Sequence, residues 1–206
     1  MASLPHPTAA IDKHRLAGLQ DGVYSIAMTL LVLELKLPAL PDPVTDAALW
    51  SALAALWPLL LTWLLSFWVL AVFWIGDARA LGVTTTVDGM LLRLGLLRLA
   101  LVSLLPFSTG LIGAHGDHAA GSMVYAAHLC VLAGTQAARS LYLRAHPPLA
   151  AWPDADAARD AVAQAVVTLA CTAAAFGLAF LVPGYNMFAL LPMLFLQRLR
   201  RHRISR

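Results

Sequence analysis

Residues 15–35 read RLAGLQDGVYSIAMTLLVLEL, an apolar run long enough to cross a bilayer, with Asp21 just over one turn inside its charged start. An isolated carboxylate in a membrane helix costs about 2.5–3.5 kcal/mol at the helix centre and less toward an end. Its expected place is a packed polar contact or an ion path, not a lipid-facing surface. The rest of the chain agrees with a membrane setting. Of its 206 residues, 60% are hydrophobic and 12% charged, against about 45–50% apolar and about 25% charged in a soluble domain. A soluble core of this size has no room for so much apolar surface, so the bilayer is the solvent for most of it. The apolar runs are continuous and lack the alternation of a membrane barrel, so the fold class expected is all-α.

Punctuation along the chain predicts six membrane spans. The first runs from Leu16 to Leu35, and Pro38, Pro41 and Pro43 stiffen the turn after it. The second covers Ala47 to Ile75, with Pro58 placed to kink it or to set off an interfacial piece. Gly76 to Asp88 reads as a polar connection, and Asp88 as the N-cap of a third span from Gly89 to Ile112. A turn from Gly113 to Gly121 leads to the fourth span, Ser122 to Leu143. The longest polar loop, Arg144 to Asp160, precedes the fifth, Ala161 to Val182. After Pro183-Gly184 comes a short sixth, Tyr185 to Leu199, for which snorkelling arginines make up the length. The division is an N-terminal segment 1–15, a six-helix domain 16–199 and a basic tail 200–206. The apolar first run is too long for a signal-peptide core and is read as retained.

An even number of spans places both termini on one side. The tails and the loops on that side hold Lys13, Arg15, Arg79, Arg139, Arg144, Arg159 and the basic C-terminal cluster; the opposite loops hold only Lys36. This asymmetry predicts cytoplasmic termini. The C-terminal arginines read as a membrane anchor, not as a nucleic-acid contact. Arg93 is placed to snorkel. Arg98 lies deeper and calls for a protein partner such as Asp21 or Asp77.

At 100° per residue, Gly22, Ile26, Thr29, Leu30 and Leu33 fall on one stripe of the first span, and Asp21, Ser25, Met28 and Val32 on another. Spacing leaves two readings open. One stripe packs on neighbours while the other meets lipid, or the first stripe is a pore wall whose Ile and Leu rings form an apolar constriction that gates by excluding water. Thr29 is then the polar ligand at mid-depth.

The same segment resembles the first helix of the transmembrane-protein-175 family, the lysosomal potassium channels of animals and their bacterial relatives. That family carries Arg, three residues, then Phe-Ser-Asp and an apolar run ending in Leu-Glu. Here Arg15 is followed by Leu19-Gln20-Asp21 and GVYSIAMTLLVLEL. Weaker echoes are Phe67 to Trp74 with Asp77 where the family has His, and Pro106-Phe107-Ser108-Thr109 for the family's Pro-Phe-Ser/Thr. The resemblance implies a homotetramer of six-helix units with the first helix lining a central pore, Ile26 at its narrowest ring, and Leu30 and Leu33 above. It also implies that Arg15 and Asp21 join a polar network holding that helix to its neighbours. Gln20 is able to replace the Ser contacts, and Asp77 to pair with Arg15 or Arg98.

Other chemistry is thin. His115, Asp117 and His118 share a turn but lack a spaced fourth ligand, so no metal site is expected. Cys130 and Cys171 read as buried small hydrophobes, His128 as a satisfied interior histidine, and Thr84 to Thr86 as turn and capping residues. No nucleotide loop, GxSxG, HExxH or paired reaction-centre carboxylates occur, which argues against an enzyme. The expected protein is a potassium channel of a bacterial inner membrane, with no cofactor and with potassium as the permeant ion. Selectivity is expected to be modest, since no TVGYG-like filter is present. The alternatives are a proton-coupled secondary transporter and a non-conducting membrane scaffold.

Overall fold

A computed structural model describes residues 12–193, and these are all-helical apart from one isolated antiparallel bridge, Thr84 to Ala150. Helix α1, Lys13–Leu30, starts where the Asp12 carboxylate accepts the His14 N–H, and tightens into a 3-10 turn over Leu31–Glu34. Helix α2, Asp46–Ala55, is capped by Thr45, whose hydroxyl accepts the Ala48 N–H. Helix α3, Trp57–Val83, follows after Leu56 alone. Helix α4 is Gly89–His115, α5 is Ala119–Ala145 and α6 is Ala155–Leu178.

Several of these limits correct the sequence reading. The second predicted span is two helices. Pro58 occupies the first turn of α3, where its missing N–H costs no hydrogen bond, so it starts a helix instead of kinking one. Residues 76–83, expected in a polar connection, continue α3, because Asp77 is satisfied inside the bundle and exposes only 1% of its surface. The turn between α4 and α5 shrinks to residues 116–118, and α6 begins at Ala155, where the Asp154 carboxylate accepts the Ala157 N–H. The sixth predicted span opens as a 3-10 turn, Tyr185–Leu190, followed by helical residues 191–193. Its continuation to Leu199, the basic tail 200–206 and the first eleven residues lie outside the described residues.

α5 is the central helix and packs most heavily on α6 and α4, while α1 lies against α4 and α3. The main core joins Tyr24 of α1, Leu31 of the 3-10 turn after it, Phe73 of α3, Leu105 of α4, and Leu129 and Leu132 of α5. A second cluster, with Leu16, Leu81, Val87, Leu91 and Leu143, closes the end where α1 begins. There the two connections are stitched together. The Thr85 N–H donates to Leu149 O at 2.9 Å and the Ala151 N–H to Val83 O at 2.8 Å. At the other end the Ser122 hydroxyl donates to Gly116 O and accepts the Gly184 N–H, each at 2.8 Å. Gly184 holds φ +80, a conformation that favours glycine.

Pro106 stands inside α4, where it removes one main-chain donor. His128 of α5 bridges the gap: Nε2 lies 2.9 Å from Leu101 O and Nδ1 2.8 Å from Ser108 Oγ. The carbonyl only accepts, so Nε2 carries a proton. This is the satisfied interior histidine expected from the sequence.

Four stretches among the described residues are long and apolar enough to cross a membrane: Lys13–Glu34, Trp57–Val83, Gly89–His115 and Ala155–Leu178. The chain is a membrane protein. α5 is as long as α3 and α4 but more polar, because Ser122, Thr135, Gln136, Arg139 and Ser140 point into the protein.

The Asp88 carboxylate accepts the Leu91 N–H at 2.8 Å and the Tyr142 hydroxyl at 2.6 Å. Partial desolvation pushes its pKa upward, but the Leu91 amide and then the Tyr142 hydroxyl outweigh that and hold it below the ordinary carboxylate value. Such a group stabilises the fold above its unfolded pKa, and the contribution fades as pH falls through the lowered one. Asp88→Ala should cost about 0.5–2 kcal/mol at neutral pH, and the gap from the parent in thermal unfolding should narrow on acidification.

Candidate functional site

The first helix has three faces, not the two that the apolar stripes suggested. Leu16, Gln20, Tyr24, Ala27 and Leu31 are buried in the chain's own core, at spacings of three and four residues. Gly22, Ile26, Thr29, Leu30 and Leu33 are exposed, with Ile26 61% and Leu33 62% exposed. Asp21, Ser25 and Val32 are exposed on the remaining face, with Met28 half-buried. One subunit therefore accounts for about a third of the helix. The rest, including every residue proposed for a pore wall, faces away from the chain that carries it.

What fixes α1 in rotation is a buried charge cluster about two to three turns from the end where the helix begins. Its centre is Asp77 of α3. Arg98 of α4 donates through Nε to Oδ2 at 3.1 Å and forms an ion pair with the same carboxylate through Nη2, 2.8 Å from Oδ1. Arg139 of α5 adds a second guanidinium on Oδ1. The Tyr24 hydroxyl of α1 donates to Oδ2 at 2.6 Å. Arg98 also donates through Nη1 to Leu132 O at 2.7 Å and to the Thr135 hydroxyl at 2.8 Å, and it stands over the Phe73 ring at 5.8 Å. Asp77 and Arg98 are each 1% exposed. Four helices thus meet on one carboxylate. A charge-assisted guanidinium–carboxylate contact is among the stronger polar contacts, and in a low dielectric none of its members is easily left alone.

The other predicted network residues fall around this centre unevenly. Arg98 finds Asp77, one of the two partners foreseen for it. Arg15 does not reach Asp77: it is exposed, and Arg139 takes the place beside Arg98. Asp21 accepts the indole N–H of Trp74 at 2.9 Å, a direct tie between α1 and α3. Gln20 is 6% exposed, makes no hydrogen bond among the described residues, and lines a small cavity with Arg139. Beyond the cluster, Glu34 lies against α4, its carboxylate filling the space that a Cβ on Gly110 would need. Gly110 is what lets that end of α1 lie so close.

Sequence reasoning missed Tyr24 and Arg139. The signal for Tyr24 is its place in the 16-20-24-27-31 register, a third face beside the two exposed stripes. Arg139 was counted with the cytoplasmic loop charges, although it precedes the expected helix end at Leu143 by a full turn. His115, Asp117 and His118 form only an exposed His118–Asp117 contact of 2.8 Å, and no group of three metal-ligating side chains occurs among the described residues. Both cysteines are free and half-buried.

Comparison with known proteins places this helix and its anchor in context. Residues 15–106 match the family described as endosomal/lysosomal potassium channel TMEM175. This bears out the resemblance read from the first span. A potassium channel of Streptomyces collinus is 34% identical over 101 residues, 49% of this chain and 48% of that protein. One from Chamaesiphon minutus is 36% identical over 104 residues, 50% of this chain and 51% of that protein. The matching part of the chain thus spans about half the length of these curated relatives. The fold match reaches further. The crystal structure of a lysosomal potassium-selective channel TMEM175 homolog from Chamaesiphon minutus superposes with a TM-score of 0.77 at 26% identity. It covers 91% of this chain and 97% of that one.

Removing one partner from a buried ion cluster leaves the others uncompensated. Asp77→Asn should therefore destabilise by about 3–5 kcal/mol. Tyr24→Phe, which removes one hydrogen bond to a charged group, should cost about 1.5–3 kcal/mol. Unfolding of the purified variants in mixed micelles measures both, and Asp77→Asn should be the more damaging.

Proposed function

We propose that this protein is a potassium-conducting channel, built as a homotetramer in which α1 of each subunit lines a central pore. The observation that carries the reading is the outward stripe of α1. Ile26, Leu30 and Leu33 are large apolar side chains on a helix whose own chain leaves them uncovered, within the part of the chain that matches a potassium-channel family. One copy of a helix does not enclose a pore, so symmetry supplies the others. Ile26 forms the narrowest ring, Leu30 and Leu33 extend it, Gly22 leaves the entrance wide, and Thr29 offers hydroxyls to a partly dehydrated ion. Such an apolar constriction resists water entry and gates by dewetting.

Each subunit contributes six spans in this arrangement. Four are the apolar stretches already described, the fifth is the polar-cored α5, and the sixth continues from Tyr185 toward Leu199. The helical unit is residues 16–199, between an N-terminal segment and a basic tail. Both termini lie in the cytoplasm, and the membrane is the bacterial inner membrane, as the distribution of Lys and Arg indicates. Asp21, Asp77 and Arg98, with Tyr24 and Arg139, hold α1 in place and set its orientation toward the axis, while Arg15 and Gln20 flank that anchor.

Reconstitution into liposomes tests the proposal. The parent should carry potassium passively, without a proton gradient, and should run as a tetramer in detergent. Ile26→Asn places an amide where water is now excluded and should raise potassium flux several-fold. Unchanged flux and selectivity in Ile26→Asn would remove Ile26 from the pore. Transport that requires a proton gradient would make the protein a secondary transporter, and silent liposomes of well-folded tetramer would make it a scaffold.

A further inference from the structure

The buried cluster around Asp77 does not balance its charge. Arg98 and Arg139 contribute two positive charges, Asp77 one negative, and Tyr24 enters as a neutral donor. Guanidinium groups keep their protons in proteins, so a net positive charge is buried. Beside it, where α1 begins and α3 ends, is a cavity of about 20 Å³ lined by Gln20, Arg139, Thr84, Leu16, Leu81 and Leu99 among others. That volume takes one water or one ion of similar size, and its mostly apolar walls suit neither a hydrated nor a polyatomic guest.

Two polar side chains line this cavity without spending all their donors on the protein. Arg139 is 6% exposed, and its Nε–H has no hydrogen-bond partner among the described residues. Gln20, also 6% exposed, lines the same cavity and makes no hydrogen bond among the described residues. Lys13 adds positive potential on the same side, its ammonium donating to Thr84 O at 2.6 Å. Two acids at the same end of the bundle are already engaged. Asp88 takes the Leu91 amide and the Tyr142 hydroxyl, and Asp12 caps α1. A water satisfies donors but leaves the charge standing; a monatomic anion satisfies both.

We propose that this cavity is a binding site for a single halide ion of the chloride class, held by the Arg139 guanidinium and the Gln20 amide as the counter-ion of the Asp77 cluster. The bound ion stabilises the junction of α1, α3, α4 and α5 by mass action.

Purified full-length protein tests this without any transport assay. Thermal unfolding in potassium chloride should lie above that in potassium gluconate at equal ionic strength, and the difference should saturate with chloride. Crystals grown in bromide should show one anomalous peak beside Arg139 and Gln20. Gln20→Glu places a carboxylate in the cavity in place of the free ion. Its unfolding temperature should be the same in the two salts, and the bromide peak should vanish. Gln20→Leu removes one donor of similar size and should raise the half-saturating chloride at least about tenfold, the equivalent of one charge-assisted hydrogen bond. Equal stability of the parent in both salts with no bromide peak would mean that the cavity holds water only, and would overturn the site. So would a chloride response that persists unchanged in both Gln20 variants.

Discussion

Everything about α1 depends on the carboxylate of Asp77. It accepts from Arg98 of α4, Arg139 of α5 and Tyr24 of α1 while belonging to α3, so four helices that are distant in sequence share one fixed point. Apolar packing between membrane helices has little preference for one rotation over another, since acyl chains are as apolar as leucine. A buried ionic centre has a strong preference, because a misaligned partner is left without compensation in a low dielectric. The cluster supplies the rotational register that the apolar contacts lack. Trp74 on Asp21 and Glu34 on Gly110 repeat the fixing at two further heights along the same helix.

This register has a direct geometric result. With Tyr24 directed into the bundle, the residues about 100° further round the helix per position, Ile26 and Thr29 among them, are directed out of it. Burial of one face and exposure of another are one fact seen from two sides. The same reasoning covers α5. Its polar residues are numerous because several elements pack on it: Thr135 and His128 serve α4, Arg139 serves α3, and Ser122 holds the turn at Gly184.

Much of this was legible in the sequence. The helical class followed from continuous apolar runs, the start of α4 from Asp88, and the need of Arg98 for a protein partner, Asp21 or Asp77, from the cost of a charge deep in a span. Helix limits were less legible where a polar residue is satisfied by a distant one. Asp77 resembled loop chemistry because its two arginines lie 21 and 62 residues further on. Pro58 resembled a kink because a helix start without a polar cap gives no local sign of itself. Tyr24 was hidden for another reason. The apolar stripes of α1 drew the eye to the faces its own chain leaves open, whereas the face that anchors it is a mixed set of Leu, Gln, Tyr and Ala.

The brace across Pro106 carries one more consequence. A proline within a long helix ordinarily introduces a swivel, free to flex because the rungs around it are incomplete. Here the imidazole of the neighbouring rod reaches both sides of that weak point, touching Leu101 below and Ser108 above. The swivel becomes a splinted joint. One side chain of α5 thus ties together the segments of α4 on either side of its proline.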